Sequence, residues 1–266
     1  MASRIITLTT DFGLADGYVA SMKGVILSIV PDGRIVDITH DIDPQSVQQA
    51  AIVLATAAGF FPGGTIHVAV VDPGVGTERA LLAVKAGGQI FLAPDNGLLG
   101  VVFERYPMPE VRRISNQSLF MPRVSRTFHG RDILAPVAAH LARGVPFEEV
   151  GPKMKDYDRG NFPHATVRVN QVEGQIVYRD RFGNLMTNIS ESDLQTFDPA
   201  TLQVRAGYTG IRGLSGAYSD VEKGELLCLI GSAGYLEIAL REGSAADKLR
   251  FPLGTEVVVS GQPNQS

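Results

Sequence analysis

The chain has 266 residues, 44% of them hydrophobic and 20% charged, with a formal net charge of −4 at pH 7. That length builds one large or two moderate soluble domains, and no run of Lys or Arg longer than a pair offers a footprint for a nucleic-acid backbone. One cysteine, Cys228 in an apolar run, excludes an internal disulfide and, with five His, argues against a zinc cage; a small buried hydrophobe is its expected role.

The first residues pass straight into a strand pattern at 5–9 with no apolar leader. The longest apolar stretches are broken by Gly, Thr or charge well short of a membrane span. A soluble cytoplasmic protein with no membrane and no nucleic-acid partner is therefore expected. Up to about residue 155 the patterns alternate: strands at 5–9, 35–38, 66–71, 81–84, 90–93 and 111–114, with helices at 17–30, 45–58, 97–106 and 132–143 between and after them. Pro31-Asp32-Gly33 closes the first helix, Asp43-Pro44 starts the second, and Gly144 closes the last. Such alternation predicts the α/β class, with a mostly parallel sheet flanked by helices. From Ala165 the texture changes to short β-branched runs at 166–169, 175–179, 226–230, 235–240 and 256–259 without a long amphipathic helix. This half is expected to be a smaller C-terminal β-barrel. The expected domains are 1–155 and 165–266, joined by a linker at 156–164 within a stretch rich in Pro, Gly, Asp and Lys.

Three of these elements meet glycine turns that carry charge. Thr10-Asp11-Phe12-Gly13 follows the first strand, and Val71-Asp72-Pro73-Gly74-Val75-Gly76 with Arg79 follows the third. Phe128-His129-Gly130-Arg131-Asp132 opens the last helix of this half. In open α/β sheets, ligands bind outside the carboxyl ends of the strands. Asp11-Phe12-Gly13 matches the metal-binding triplet of protein kinases, but no glycine-rich loop, strand-borne lysine or catalytic loop precedes it, so the match is accidental. It reads either as a turn opened by Asp or, with Asp16 just ahead of a helix, as a pair of carboxylates suited to ribose hydroxyls. Asp72 ends a central apolar strand, where a buried unpaired carboxylate costs several kcal/mol. Arg79 is its nearest expected partner, as an ion pair that pins a loop or as part of a polarised acid–base site. His129 at a helix start feels the positive end of the dipole, which favours the neutral ring and keeps a nitrogen free for a proton. Arg131 and Asp132 read as a first-turn charge pair, and His40, His67, His140 and His164 as structural. In the second half, Asp180-Arg181-Phe182-Gly183-Asn184 reads as hairpin turn chemistry, and Ser232-Ala233-Gly234-Tyr235-Leu236-Glu237 as a turn after a buried strand.

Taken in order, these motifs, together with Ala93-Pro94-Asp95-Asn96-Gly97, resemble the S-adenosylmethionine hydroxide adenosyltransferases, relatives of the bacterial fluorinase and chlorinase, nearly end to end. The resemblance implies an N-terminal α/β domain, a C-terminal β-barrel and a homotrimer, with sites formed between neighbouring subunits. It implies S-adenosyl-L-methionine as the substrate, cleaved to adenosine and L-methionine, with no cofactor and no metal. Asp72, Arg79 and His129 occupy the positions of the family's Asp–Arg–His set. The halogenases instead carry tyrosine where Asp72 and His129 stand, so the resemblance favours hydrolysis. By the same resemblance Asp11 holds the ribose hydroxyls with Asp16 nearby, and Asp180 takes the methionine ammonium. Ser232 meets the methionine carboxylate, Asn184 reaches the adenine edge, and Tyr235 and Glu237 flank adenine. The halogenases also have an arginine where this chain has Ala233, which leaves the carboxylate contact to Ser232 and backbone amides. Two other readings compete: halide-dependent adenosyl transfer, and a module that binds S-adenosylmethionine or adenosine with little turnover.

Overall fold

The structure is a computed structural model and describes residues 4–262. The chain divides into two compact units, 1–162 and 163–266, each with its own core.

The first unit runs β1 (Ile5–Thr10), α1 (Tyr18–Ile29), β2 (Arg34–Thr39), α2 (Val47–Ala58), β3 (Ile66–Val70), β4 (Leu81–Ala86), β5 (Gln89–Pro94), α3 (Gly100–Arg105) and β6 (Glu110–Arg113). A π-helical turn at Gly130–Leu134 then leads into α4 (Ala135–Ala142). The sheet order is β2-β1-β3-β5-β4-β6, with β1, β2, β3 and β5 parallel and β4 antiparallel to both its neighbours. β3 shows why the sequence folds this way. Ile66, Val68 and Val70 face a core shared with Met22 and Ile26 of α1 and Val137 and Leu141 of α4. Ala69, and Val71 just beyond the strand, face the opposite core with Leu54 of α2 and Val102 and Phe103 of α3. Period-two alternation thus delivers apolar groups to both sides of a strand covered by helices on both faces. From β1 the chain goes one way to β2 and the other way to β3. The carboxyl ends of β1 and β3 therefore flank a topological switch point, and Asp11 and Asp72 emerge there.

Helix starts differ from the sequence reading where backbone conformation intervenes. Gln45 adopts a left-handed φ of 66°, so α2 begins after Ser46. Gly97, at φ 84°, delays α3 to Gly100. The last helix starts earlier than expected, because the 130–134 turn winds as a π-helix before α4.

The second unit contains β7 (Thr166–Val167), β8 (Gln171–Arg179), β9 (Leu185–Ser190), α5 (Glu191–Leu194), β10 (Gln203–Ala206), β11 (Thr209–Arg212), β12 (Leu226–Ile230), β13 (Tyr235–Leu240), α6 (Ala245–Leu249) and β14 (Glu256–Ser260). Its strands pair antiparallel in the order β11-β10-β14-β8-β9-β13-β12, a nearly closed, barrel-like sheet around Val172, Ile176, Leu185, Phe197, Val204, Cys228, Ile238 and Val257. Cys228 is fully buried there and its thiol is pushed up to about 12 by burial. β9, β10 and β11 lie outside the strands read from the sequence. Among the described residues, no helix is long and apolar enough to cross a membrane.

Candidate active site

The turn after β3 is built to hold one ion pair rigidly. The Asp72 side chain is 7% exposed and that of Arg79 is 10% exposed. Arg79 Nε donates to Asp72 Oδ1 at 2.6 Å, and Nη2 donates to Oδ2, closing a two-pronged fork. Asp72 Oδ1 also accepts the Gly74 N–H at 3.2 Å. The carboxyl end of β5 grips both stems of this turn: Asn96 Nδ2 donates to Val71 O at 2.9 Å, and Asp95 N donates to Ala80 O at 3.0 Å. Asn96, quoted above only as part of a family motif, thus secures the backbone immediately before Asp72.

His129 arrives from the opposite direction on the N-terminus of the π-helical turn. Gly130 permits the approach, since a Cβ there would sit 3.1 and 3.2 Å from the two Val70 methyls. Arg79 Nη2 then lies 3.4 Å from His129 Nδ1. A guanidinium only donates, so Nδ1 accepts and the ring proton of a neutral imidazole belongs on Nε2. Burial first, and the charge of Arg79 second, hold His129 below its ordinary value, with Asp132 pulling the other way. Burial likewise lowers Arg79. The Asp72–Arg79 pair, read on one turn, and His129, read on another, are therefore in contact, with Arg79 as the link. Such an array can orient a water, donate to a developing oxyanion and accept a proton.

Around it, the Asp11 carboxylate is half-exposed and its Oδ2 accepts the Gln45 N–H at 2.8 Å, which holds the left-handed residue ahead of α2. Asp16 is exposed on the same connection. His40, read from sequence as merely structural, reaches this turn: its Nδ1 lies 2.9 Å from Thr10 Oγ1, which in turn accepts the Phe12 N–H at 3.2 Å. The other imidazole nitrogen of His40 lies 3.1 Å from Asp37, itself bound to Lys23 at 2.6 Å. Phe12, Tyr18 and Phe128 form a cluster of edge-to-face and tilted rings with centroids 5.4 to 5.8 Å apart. Among the described residues, no group of three His, Cys, Asp or Glu stands together as a metal cage.

In the second unit, Asp180 organises its own turn. Its Oδ1 accepts the N–H groups of Phe182 at 2.9 Å and Asn184 at 2.8 Å, and its Oδ2 accepts Asn184 Nδ2 at 2.9 Å. Ser232 is exposed in the connection between β12 and β13, while Tyr235 and Glu237 lie half-buried on β13. The residue that sequence reading missed here is Tyr218, whose hydroxyl donates to Glu237 Oε1 at 2.7 Å. Burial, and then this carboxylate, push Tyr218 up to about 12. Burial, with the charge of Asp180 adding to it, raises Glu237 against the Tyr218 hydrogen bond. Tyr218 opens a single 3₁₀ turn, Tyr218–Asp220, too short to show periodicity, so no sequence signal pointed to it.

Comparison with known proteins places these features in a lineage. Residues 6–151 match the SAM hydroxide adenosyltransferase N-terminal domain, and residues 174–258 match the corresponding C-terminal domain. A Salinispora tropica protein named (R)-S-adenosyl-L-methionine hydrolase is 38% identical over 96% of this chain and 97% of its own length. The crystal structure of an uncharacterized conserved protein from Thermotoga maritima is similar with a TM-score of 0.90 and 41% identity, covering 96% of this chain and 99% of that one. The fluorinase of Actinopolyspora mzabensis is more distant, 29% identical over 96% of this chain and 97% of its own. With both domains matched in order, the chain belongs to the SAM hydroxide adenosyltransferase family.

Proposed function

We propose that the protein hydrolyses S-adenosyl-L-methionine at the ribose C5′–sulfur bond, yielding adenosine and L-methionine, with Asp72, Arg79 and His129 as the catalytic set. The observation that carries this reading is the contact of those three side chains through Arg79. The names of the hydrolase relatives support it, and they extend it to the (R) configuration at the sulfonium.

The chemistry follows from the groups available. A sulfonium already leaves as a neutral thioether, so no acid is needed to expel methionine. Water is the weak partner, with a pKa of about 15.7. Arg79 uses Nε and Nη2 on Asp72 and His129, which leaves the Nη1 N–H groups for the oxygen that gains charge. His129, with its proton on Nε2, aligns the water by donating to it. In-line attack forms the O–C5′ bond as the C5′–S bond breaks, and the bonding pair leaves with sulfur. Asp72 draws off a proton of the water as the O–C5′ bond forms, so that oxygen takes on hydroxide character beside the Arg79 N–H groups. The proton then passes from Asp72 to solvent. Asp11, with Asp16 nearby, is assigned to the ribose hydroxyls. Asp180, Asn184, Ser232, Tyr235 and Glu237 are assigned to the methionine and adenine ends. The family motifs also support a homotrimer, which light scattering would test.

The decisive assay incubates the protein with each sulfonium epimer of S-adenosylmethionine in ¹⁸O-water, with and without chloride or fluoride. Adenosine labelled at its 5′-oxygen plus methionine, formed from the (R) epimer and independent of halide, is the expected result. A halogenated nucleoside would reassign the chain to halide-dependent adenosyl transfer, and intact substrate retained on the protein would make it a binding module.

A further inference from the structure

Asp132 lies three residues beyond His129 and is 2% exposed. Its Oδ1 accepts Arg131 Nε at 2.6 Å, and its Oδ2 accepts Arg131 Nη2 at 3.0 Å and the Ser125 N–H at 2.8 Å. Its carbonyl oxygen accepts the Met121 N–H at 2.9 Å. One residue thus fastens the 121–128 segment at two points, and Ser125 Oγ extends the anchor by accepting the Phe128 N–H at 3.0 Å. That segment bears directly on the turn that carries Arg79. A Cβ on Gly76, which has φ 85°, would lie 2.8 Å from Arg126 O, so the two backbones touch where a side chain does not fit. Movement of 121–128 would therefore press on the turn from one side and on His129 from the other.

We propose that Asp132 is a positioning residue for the Asp72–Arg79–His129 set, clamping the 121–128 segment onto the 72–79 turn and placing a buried negative charge one helical turn from the His129 imidazole. This deepens the hydrolase reading and rests on it for the identity of the reaction. The charged groups acting on the imidazole are Arg79, from the turn, and Asp132, from its own helix. Asp72 is paired to the first and Arg131 to the second. Removing Asp132's charge makes His129 harder to protonate, and removing Arg131's makes it easier.

The test follows the His129 ring by NMR titration in the full chain, with its resonance assigned from His129→Gln, alongside kcat and KM. In Asp132→Asn the titration is expected at lower pH, with kcat down by up to about a hundredfold and KM little changed. In Arg131→Gln the titration is expected at higher pH. Unmoved titrations in both variants, or a loss confined to KM, would reduce Asp132 to a structural residue. Should Asp132→Asn fail to fold, Asp132→Glu keeps the charge but moves the carboxylate away from the Ser125 N–H. It is expected to leave the His129 titration in place and lower kcat, and an unchanged kcat would overturn the positioning role. If the parent protein does not cleave S-adenosylmethionine, the hydrolase reading fails, while the titration still tests the electrostatic coupling.

Discussion

At Arg79, one planar group serves two partners: its fork binds both oxygens of Asp72, and its Nη2 also meets His129. A lysine could neutralise Asp72 but could not span both contacts, because its ammonium is a point charge without the guanidinium geometry. Arg79→Lys should therefore keep stability within about 1 kcal/mol, since Asp72 retains a counter-charge, yet lose on the order of 10² in kcat, the scale of removing one aligned donor from a developing anion. Arg79→Ala differs. It strands a carboxylate that is 7% exposed, and a broken buried pair costs about 3–5 kcal/mol. Urea denaturation alongside steady-state kinetics separates the two effects. Equal loss of activity and stability in the lysine variant would make Arg79 a loop-pinning residue and nothing more.

The element that positions this turn, β3, carries a second histidine with a different job. His67 is fully buried, its Nδ1 lies 2.8 Å from Thr7 Oγ1, and its ring stacks on Phe91 at 4.8 Å between centroids. Burial lowers it from 6.5 to about 4, with the neighbouring Gln89 side chain opposing. In the unfolded chain the same ring takes its proton at about 6.5. Below that pH the unfolded state holds more protons than the folded one, so stability falls as pH drops and levels off only below about 4. The loss attributable to His67 across this window is on the order of 3 kcal/mol. Denaturation at pH 7.5 and 4.5 should show a drop in the parent that His67→Gln largely removes. An equal drop in both would assign the acid sensitivity elsewhere, with His129 and His140, also lowered by burial, as the next candidates.

Over the whole molecule, legibility followed how local the determining interactions are. β3 could be read directly because helices cover both its faces and every position is apolar or neutral. β9 could not, because Thr187 and Asn188 are buried polar residues whose hydrogen bonds go to Leu236 O and Pro163 O, far along the chain. The turns of the candidate site at the strand ends were visible as motifs, with Asp72 and Arg79 on one of them and His129 on another. The Asp72–Arg79 pair was expected from their shared turn, but the Arg79–His129 contact was not legible from spacing, since these two are 50 residues apart. Asn96 was visible only within a family motif, and Tyr218 does not stand out by pattern. The same separation has a consequence for how the protein acquires activity. Asp72 and Arg79 are 7 residues apart on one turn and can pair once that turn forms, whereas His129 must wait for α4 to dock and close a loop of 50 residues. After dilution from urea, turnover should return later than circular dichroism does, and in a chain without tryptophan the enzyme's own product becomes the reporter of the final docking step.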